Sequence, residues 1–262
     1  MNVHSFAQKK ASEQKISMVT CYDHWSAKIL NETDVDCILV GDSLAVVMHG
    51  FDSTVHATLE MMELHVAAVA RGAPDKFIIA DMPFMSCSKG LEHAMEAVQC
   101  LMQAGASAVK IEGDAHQIDI IQHIVEAGVP VMGHLGLTPQ SIHNLGGHKV
   151  QAKADEDANR LIKSANKLEQ AGCFAVVLEC IPTKLGSCVA VRLTIPTIGI
   201  GAGPHTDGQV LVLQDLLGVN PDFKPKFLRH YADNHSMISK AVDHFHSDVV
   251  ELSFPGPAES YR

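Results

Sequence analysis

Short apolar runs rich in Val, Ile and Leu recur along the chain, and several are followed by a stretch whose apolar residues return every three or four positions. Runs of four to six such residues fit strands buried on both faces, whereas the longer spacing fits helices with one apolar stripe. The runs predict eight strands, at 16–20, 37–40, 77–80, 108–111, 131–133, 175–178, 197–200 and 210–213. Helical spacing is clearest in "TLEMMELHVAAVARG", "GLEHAMEAVQCLMQAG" and "ADEDANRLIKSANKLEQAG". One joint appears three times, in "LMQAGASAVKIEG", "IVEAGVPVMGH" and "LEQAGCFAVVLEC": a helix end, Ala-Gly, then a strand. Gly105, Gly128 and Gly172 are therefore expected to end helices in the left-handed conformation that glycine adopts without a Cβ penalty. Strands and helices alternating eight times predict a (β/α)8 barrel, with a doubly wound open sheet as the alternative.

The residues that follow these strands are polar. The run "CILVGDSLAVVMHG" passes from a buried strand straight to Asp42 and Ser43. The first strand opens onto Cys21, Tyr22 and Asp23, the third onto Asp81, the fifth onto His134 and the sixth onto Glu179, while the fourth carries Lys110 and ends on Glu112. In a barrel these residues share one mouth, the end at which such folds place catalysis. Asp42, Asp81 and Glu112 would repel one another there unless protons or a cation relieved them, and an oxygen-only ligand set favours Mg²⁺. A metal so held can bind a 2-oxo acid through its carboxylate and keto oxygens and stabilise an enolate. Lys110 and His134 are placed to neutralise or orient the anion, and Glu179 to move a proton. Bland readings stand beside these: Asp42 and Asp81 as turn or cap residues, Lys110 as a snorkelling strand-end lysine, His134 as a satisfied core imidazole.

Composition narrows the setting. The 262 residues are 47% hydrophobic, enough for one substantial core, and we expect a single catalytic domain over 1–262. A formal net charge of −10 argues against nucleic acid or an anionic membrane surface as partner. The start "MNVHSFAQKKASEQK" has no apolar signal region, so a cytoplasmic protein is expected. Seven cysteines without a C-x-x-C pair read as reduced core thiols. Gly199, Gly201, Gly203 and Gly208 read as tight rim turns with Asp207 rather than a dinucleotide loop. His230, His235, His244 and His246 are expected on the solvated face of a polar C-terminal helix.

The segments "VGDSL", "DSTVHATL", "ADMPFMS", "AVKIEG", "GHLGLTPQ", "GGHKVQAK", "LECIP" and "IGIGAGPHTDGQVLVLQDLLG", with "FPGPAESY" near the end, occur in this order over nearly the whole chain. The series resembles the 3-methyl-2-oxobutanoate (ketopantoate) hydroxymethyltransferase family. That resemblance implies a TIM barrel of the phosphoenolpyruvate/pyruvate superfamily and a Mg²⁺-dependent transfer of a hydroxymethyl group from 5,10-methylenetetrahydrofolate to 3-methyl-2-oxobutanoate. The product would be 2-dehydropantoate, on the route to pantothenate and coenzyme A, and the assembly a homo-oligomer, commonly a decamer. Carried over one at a time, the resemblance makes Asp42 a metal ligand close to substrate, Ser43 a contact to the oxo acid, Asp81 a metal and substrate residue, and Glu112 a residue close to the metal. It makes Lys110 and His134 substrate contacts and Glu179 the proton acceptor. Ala45, Phe51 and Cys87 depart from residues common in the family and bear on the pocket walls. A carbon–carbon lyase of the same superfamily and a non-catalytic barrel are the competing readings. The first should carry a Lys-Lys/Arg-Cys-Gly-His loop, which "FMSCSKG" does not match, and the second should show an eroded ligand set.

Overall fold

The computed structural model describes residues 1–113 and 117–261 and divides into two compact units, Met1–Leu211 and Val212–Arg262. The first unit holds all eight strands: β1 (Ile16–Thr20), β2 (Cys37–Val40), β3 (Phe77–Asp81), β4 (Ala108–Glu112), β5 (Val131–Gly136), β6 (Ala175–Glu179), β7 (Thr197–Ile200) and β8 (Gly208–Leu211). They pair in parallel and in chain order, and β8 closes on β1, so the sheet is a barrel and not the open alternative. Its helices are α1 (Val3–Ala11), α2 (His24–Asn31), α3 (Leu44–Val47), α4 (Leu59–Gly72), α5 (Leu91–Gln103), α6 (Ile118–Glu126), α7 (Ile142–Leu145), α8 (Asp155–Gln170) and α9 (Thr183–Arg192). The second unit contains α10 (Leu213–Leu216) and α11 (Asn234–Val250), and α11 buries none of its residues. Among the described residues no helix is long and apolar enough to cross a membrane.

The repeated joint behaves as its glycines require. Gly105, Gly128 and Gly172 have φ of 114°, 92° and 93°. At Gly172 an added Cβ would also fall 2.7 Å from a Val125 methyl, so the turn needs glycine for both conformation and space.

Three expectations are corrected. The last strand is Gly208–Leu211, two residues earlier than predicted, and Leu213 already starts α10. Glycine at 208 looks like a turn signal, yet a Cβ there would sit 2.5 Å from the Ile16 carbonyl oxygen, so the residue serves close pairing with β1. Asp207 does not lie at the mouth: it precedes β8, accepts from Thr197 N–H at the start of β7 and pairs with Lys10 of α1 at 2.8 Å. Residues 201–207 cross from the end of β7 to the start of β8 with no helix between them. Third, His235, His244 and His246 lie on α11 but His230 precedes it. All seven cysteines are free, with Cys21, Cys37, Cys87 and Cys173 buried.

The barrel interior is filled by alternate strand residues, among them Ile16, Met18, Cys37, Leu39, Phe77, Ile79, Ala108, Met132, Ala175, Val177, Ile198 and Val210. Phe6 of α1 joins them from the chain start, fully buried, with edge-on ring contacts to Phe77 at 5.5 Å and Phe174 at 5.0 Å. These three rings stop up the N-terminal end of the barrel and leave the opposite end open for chemistry. Phe6→Ala should therefore cost about 3–5 kcal/mol of stability, the usual loss for a buried aromatic. Urea unfolding should show the midpoint falling with the slope unchanged, and a loss below about 1 kcal/mol would contradict the plug.

Candidate active site

Strand parity decides which side chains meet at the mouth. Phe77 and Ile79 point into the core, so the next inward position of β3 is Asp81. The same step of two carries Ala108 to Lys110 and Glu112, Met132 to His134, and Val177 to Glu179. Register then sets Asp81 beside Lys110 and Glu112 beside His134. Asp42 and Ser43 enter from just beyond β2, where the Asp42 N–H donates to Asp81 Oδ2 at 3.0 Å. Gly41 permits that approach, because a Cβ there would lie 2.8 Å from Ser43 Oγ and 3.4 Å from Asp81 Oδ2.

The predicted residues form one connected cluster. Lys110 Nζ lies 2.8 Å from Asp81 Oδ1 and 3.1 Å from His134 Nδ1. His134 in turn has Nδ1 3.4 Å from Glu112 Oε1 and Nε2 3.3 Å from Glu179 Oε2. Asp42, Asp81, Lys110 and His134 are all buried. The bland readings do not hold in this geometry: Lys110 is paired inside and does not snorkel, and His134 is buried between charged groups, Lys110 and Glu112 at Nδ1 and Glu179 at Nε2, and not among core residues. Capping is done instead by Asp23, whose Oδ1 accepts from Ser26 N–H at 2.9 Å and begins α2. Ser43 stands at the start of α3 but makes no side-chain cap; its Oγ lies 2.8 Å from the buried Tyr22 hydroxyl.

Gln140 was not among the expected site residues, yet it ties the cluster together. Its Nε2 donates to Asp42 Oδ2 and to the Met82 carbonyl, each at 2.9 Å, and its backbone N–H donates to Glu112 Oε2 at 3.0 Å. The segment "GHLGLTPQ" contained it, but nothing local marks a glutamine after Thr-Pro as reaching a neighbouring strand's carboxylate. Tyr22 was seen at a strand end, and its pairing with Ser43 is legible only in three dimensions.

Charge is unbalanced. Burial pushes the Asp42 carboxyl well above the usual range, and Asp81 and Glu112 add repulsion that Lys110 and Gln140 only partly offset. Burial likewise raises Asp81 against the pull of Lys110. Glu112 is desolvated too, but His134, Lys110 and the Gln140 N–H hold it below its ordinary value. Burial opposes the Lys110 ammonium, and the three carboxylates around it nevertheless raise its pKa. For His134, burial and Lys110 disfavour the cation, while Glu112 and Glu179 outweigh them and raise its pKa to about 9.

A hard cation fits this donor set. Asp42, Asp81 and Glu112 crowd three carboxylates into one buried space, and the Lys110 ammonium, 2.8 Å from Asp81 Oδ1, only partly offsets their repulsion. The described residues contain no group of three or more His, Cys, Asp or Glu side chains arranged to hold an ion unaided. Mg²⁺ is usually held by one or two carboxylates with substrate and water completing the shell, and Asp42 and Asp81 meet that need.

Comparison with known proteins bears on this geometry. The sequence model for ketopantoate hydroxymethyltransferase matches residues 1–257. The chain belongs to that enzyme family. It is 56% identical over 256 residues to the 3-methyl-2-oxobutanoate hydroxymethyltransferase of Coxiella burnetii, covering 97% of this chain and 96% of the relative. The protein of the same name from Francisella tularensis is 52% identical over 260 residues, covering 99% and 98%. Among solved structures, a phosphonopyruvate hydrolase complex with oxalate and Mg²⁺ superposes with a TM-score of 0.64 at 10% identity, over 99% of this chain and 93% of that one. A 2,3-dimethylmalate lyase, described as a PEP mutase/isocitrate lyase superfamily member, gives 0.58 at 14% identity, over 95% and 98%. At these identities the two structures establish the shared barrel fold.

The His134 shift has a signed consequence for the metal-free protein. Its folded-state pKa of about 9 exceeds the ordinary 6.5, so folding takes up a proton between those values. The resulting stabilisation is whole below pH 6.5 and is lost as pH rises through 9. Thermal melting in EDTA should therefore fall over this interval, and His134→Gln should flatten the fall. An equal slope in the variant would assign the effect to other groups.

Proposed function

We propose that this chain transfers a hydroxymethyl group from 5,10-methylenetetrahydrofolate to 3-methyl-2-oxobutanoate, giving 2-dehydropantoate for pantothenate and coenzyme A synthesis. The observation that carries the reading is the inward set Asp81, Lys110, Glu112, His134 and Glu179, joined by Asp42, in a chain of this family. Lys110 supplies positive charge where the oxo acid's carboxylate and keto oxygen would lie, and Ser43 a hydroxyl beside it. Tyr22 keeps its proton because burial raises its pKa; as donor to Ser43 it leaves the serine proton free for substrate. Glu179, half-buried at the end of β6, accepts the proton from C3 of the oxo acid, and the carbon so freed attacks the methylene carbon of the folate. Overall, the C3–H bond is exchanged for a C3–CH₂OH bond, tetrahydrofolate leaves, and water supplies the hydroxyl oxygen. His134 lies against Glu179 and orients it.

Asp42, Asp81 and Glu112 are the residues that would hold Mg²⁺. Glu112 already gives one oxygen to Gln140 and faces His134 with the other, so we assign the direct role to Asp42 and Asp81 and a supporting one to Glu112. The ion would polarise the keto group and stabilise negative charge on its oxygen. The proposal includes the cytoplasm as compartment, and a homo-oligomer, decameric by the family resemblance. Trp25 and Ile29 on α2 and Leu64 on α4, between 56% and 67% exposed, support a subunit contact.

The deciding experiment is an assay for 2-dehydropantoate with and without the methylene folate. Product formed from formaldehyde-free oxo acid with no folate would overturn the reading. Chelation should abolish turnover, and Asp42→Asn or Asp81→Asn should weaken Mg²⁺ binding; full activity of metal-free protein would remove the ion from the scheme.

Glu179→Gln keeps shape but cannot take a proton. It should slow the chemical step by roughly 10²–10⁴-fold and leave oxo-acid affinity largely intact, whereas Lys110→Ala should weaken that affinity. Near-normal single-turnover rates for Glu179→Gln would identify another base.

A further inference from the structure

The buried cluster supplies charge for a small oxo acid, but a two-substrate reaction also needs a seat for the larger donor. An open pocket lies beside the cluster, walled by Met82–Ser88 after β3 and by Ile111, Glu112, Gln117, Gln140 and Ser141. It touches the acid cluster through two residues. Glu112 belongs to both, and Gln140 lines the pocket while its amide reaches Asp42. Asp42, Asp81, Lys110 and His134 do not line it, so the pocket adjoins the cluster without being the same space.

The wall after β3 leaves two large apolar side chains accessible within a mainly polar pocket. Phe84 and Met85 are 43% and 44% exposed although their loop is tightly tied: Ser86 donates from N–H and Oγ to the Pro83 carbonyl at 3.0 and 2.7 Å, and Ser88 N–H donates to the Met85 carbonyl at 3.0 Å. Met85 holds a left-handed φ of 64°, a conformation disfavoured for methionine that turns the loop at this point. The same pocket is lined by hydrogen-bonding residues, Ser141 and Gln117, and Gln117 Oε1 is buried without a partner among the described residues. Apolar and polar groups in one pocket suit a planar heteroaromatic ring that carries donors and acceptors on its rim.

We propose that this pocket binds the pterin ring of the reduced folate, with Phe84 and Met85 against the ring face, Gln117 and Ser141 at its polar edge, and Gln140 as the partition between donor and oxo acid. The assignment rests on the hydroxymethyltransferase reading and deepens it. Carbon–carbon bond formation then takes place across Gln140, whose release from Asp42 opens the way between the two spaces.

The test measures tetrahydrofolate binding by titration calorimetry and oxo-acid binding by NMR, with Mg²⁺ present, for the wild type, Phe84→Ala and the pocket-filling Ser141→Trp. Phe84→Ala should raise the Kd for tetrahydrofolate roughly tenfold, as loss of a stacked aromatic does, and Ser141→Trp should raise it more. Oxo-acid Kd should stay within about twofold in both, since neither side chain takes part in the cluster's hydrogen bonds and ion pairs. Unchanged tetrahydrofolate affinity in both variants, with a wild type that binds it and makes product, would overturn the pocket assignment alone. Equal weakening of both ligands would also overturn it, since the pocket would then not be a separate seat. A wild type that neither binds tetrahydrofolate nor needs the methylene folate would remove the parent reading, and the assignment with it.

Discussion

Asp42 gives its backbone N–H to the Asp81 carboxylate at 3.0 Å in the barrel mouth, and this contact fixes two like-charged side chains within one buried space. Coulomb repulsion at such separations is several times stronger than in water, because little solvent remains to screen it. Lys110 relieves Asp81 and the Gln140 amide relieves Asp42, but both carboxyls still sit above their ordinary pKa. The strain is electrostatic and has a direction: whatever brings positive charge to this point is bound more tightly than an exposed acidic pair would bind it. Gly41 is the steric condition for the arrangement, since any side chain there would meet Ser43 Oγ.

That arrangement is affordable because the remainder of the barrel is insensitive to it. One end is closed by three aromatic rings, the middle is filled by alternating apolar residues, and the polar set occupies inward positions toward the C-terminal ends of β3 to β6, with Asp42 just beyond β2. Lys110, Glu112, His134 and Glu179 are borne on strands whose ladders hold them, so their geometry does not await substrate. Gln140 and the segment after β3 lie on connections instead, which is where groups that must move aside for a ligand are best placed.

This division explains what was legible in the sequence. Parity along a strand is local information, so Asp81, Lys110, Glu112, His134 and Glu179 could be placed at one mouth from eight apolar runs and the residues that end them. The Ala-Gly joints were equally readable, because a left-handed glycine after a helix is a matter of one residue's sterics. The eighth strand was misplaced because Gly208 serves a neighbouring backbone and not its own turn. Asp207 was misplaced with it: a seven-residue crossover without a helix carries the chain to the other end of the barrel, and no periodicity announces that. Gln140 and Tyr22 were missed as site residues for a related reason, since each acts on a residue from another element, Asp42 and Ser43, at a distance set by the closed barrel.

His134 connects the two halves of the site in a way that residue types alone would not suggest. Its Nδ1 lies 3.1 Å from the Lys110 ammonium and 3.4 Å from a Glu112 oxygen, and these neighbours require opposite states of that nitrogen. To accept from Lys110 it must be bare; to donate to Glu112 it must carry a proton. Adding positive charge among the carboxylates weakens the hold of Glu112 and favours the bare form, in which the ring's single proton resides on Nε2, facing Glu179. In the proposed reaction Glu179 would then face the N–H of a neutral imidazole and not an imidazolium. Under the proposed reaction, positive charge held at Asp42 and Asp81 would thus be felt by Glu179 on β6 through one ring.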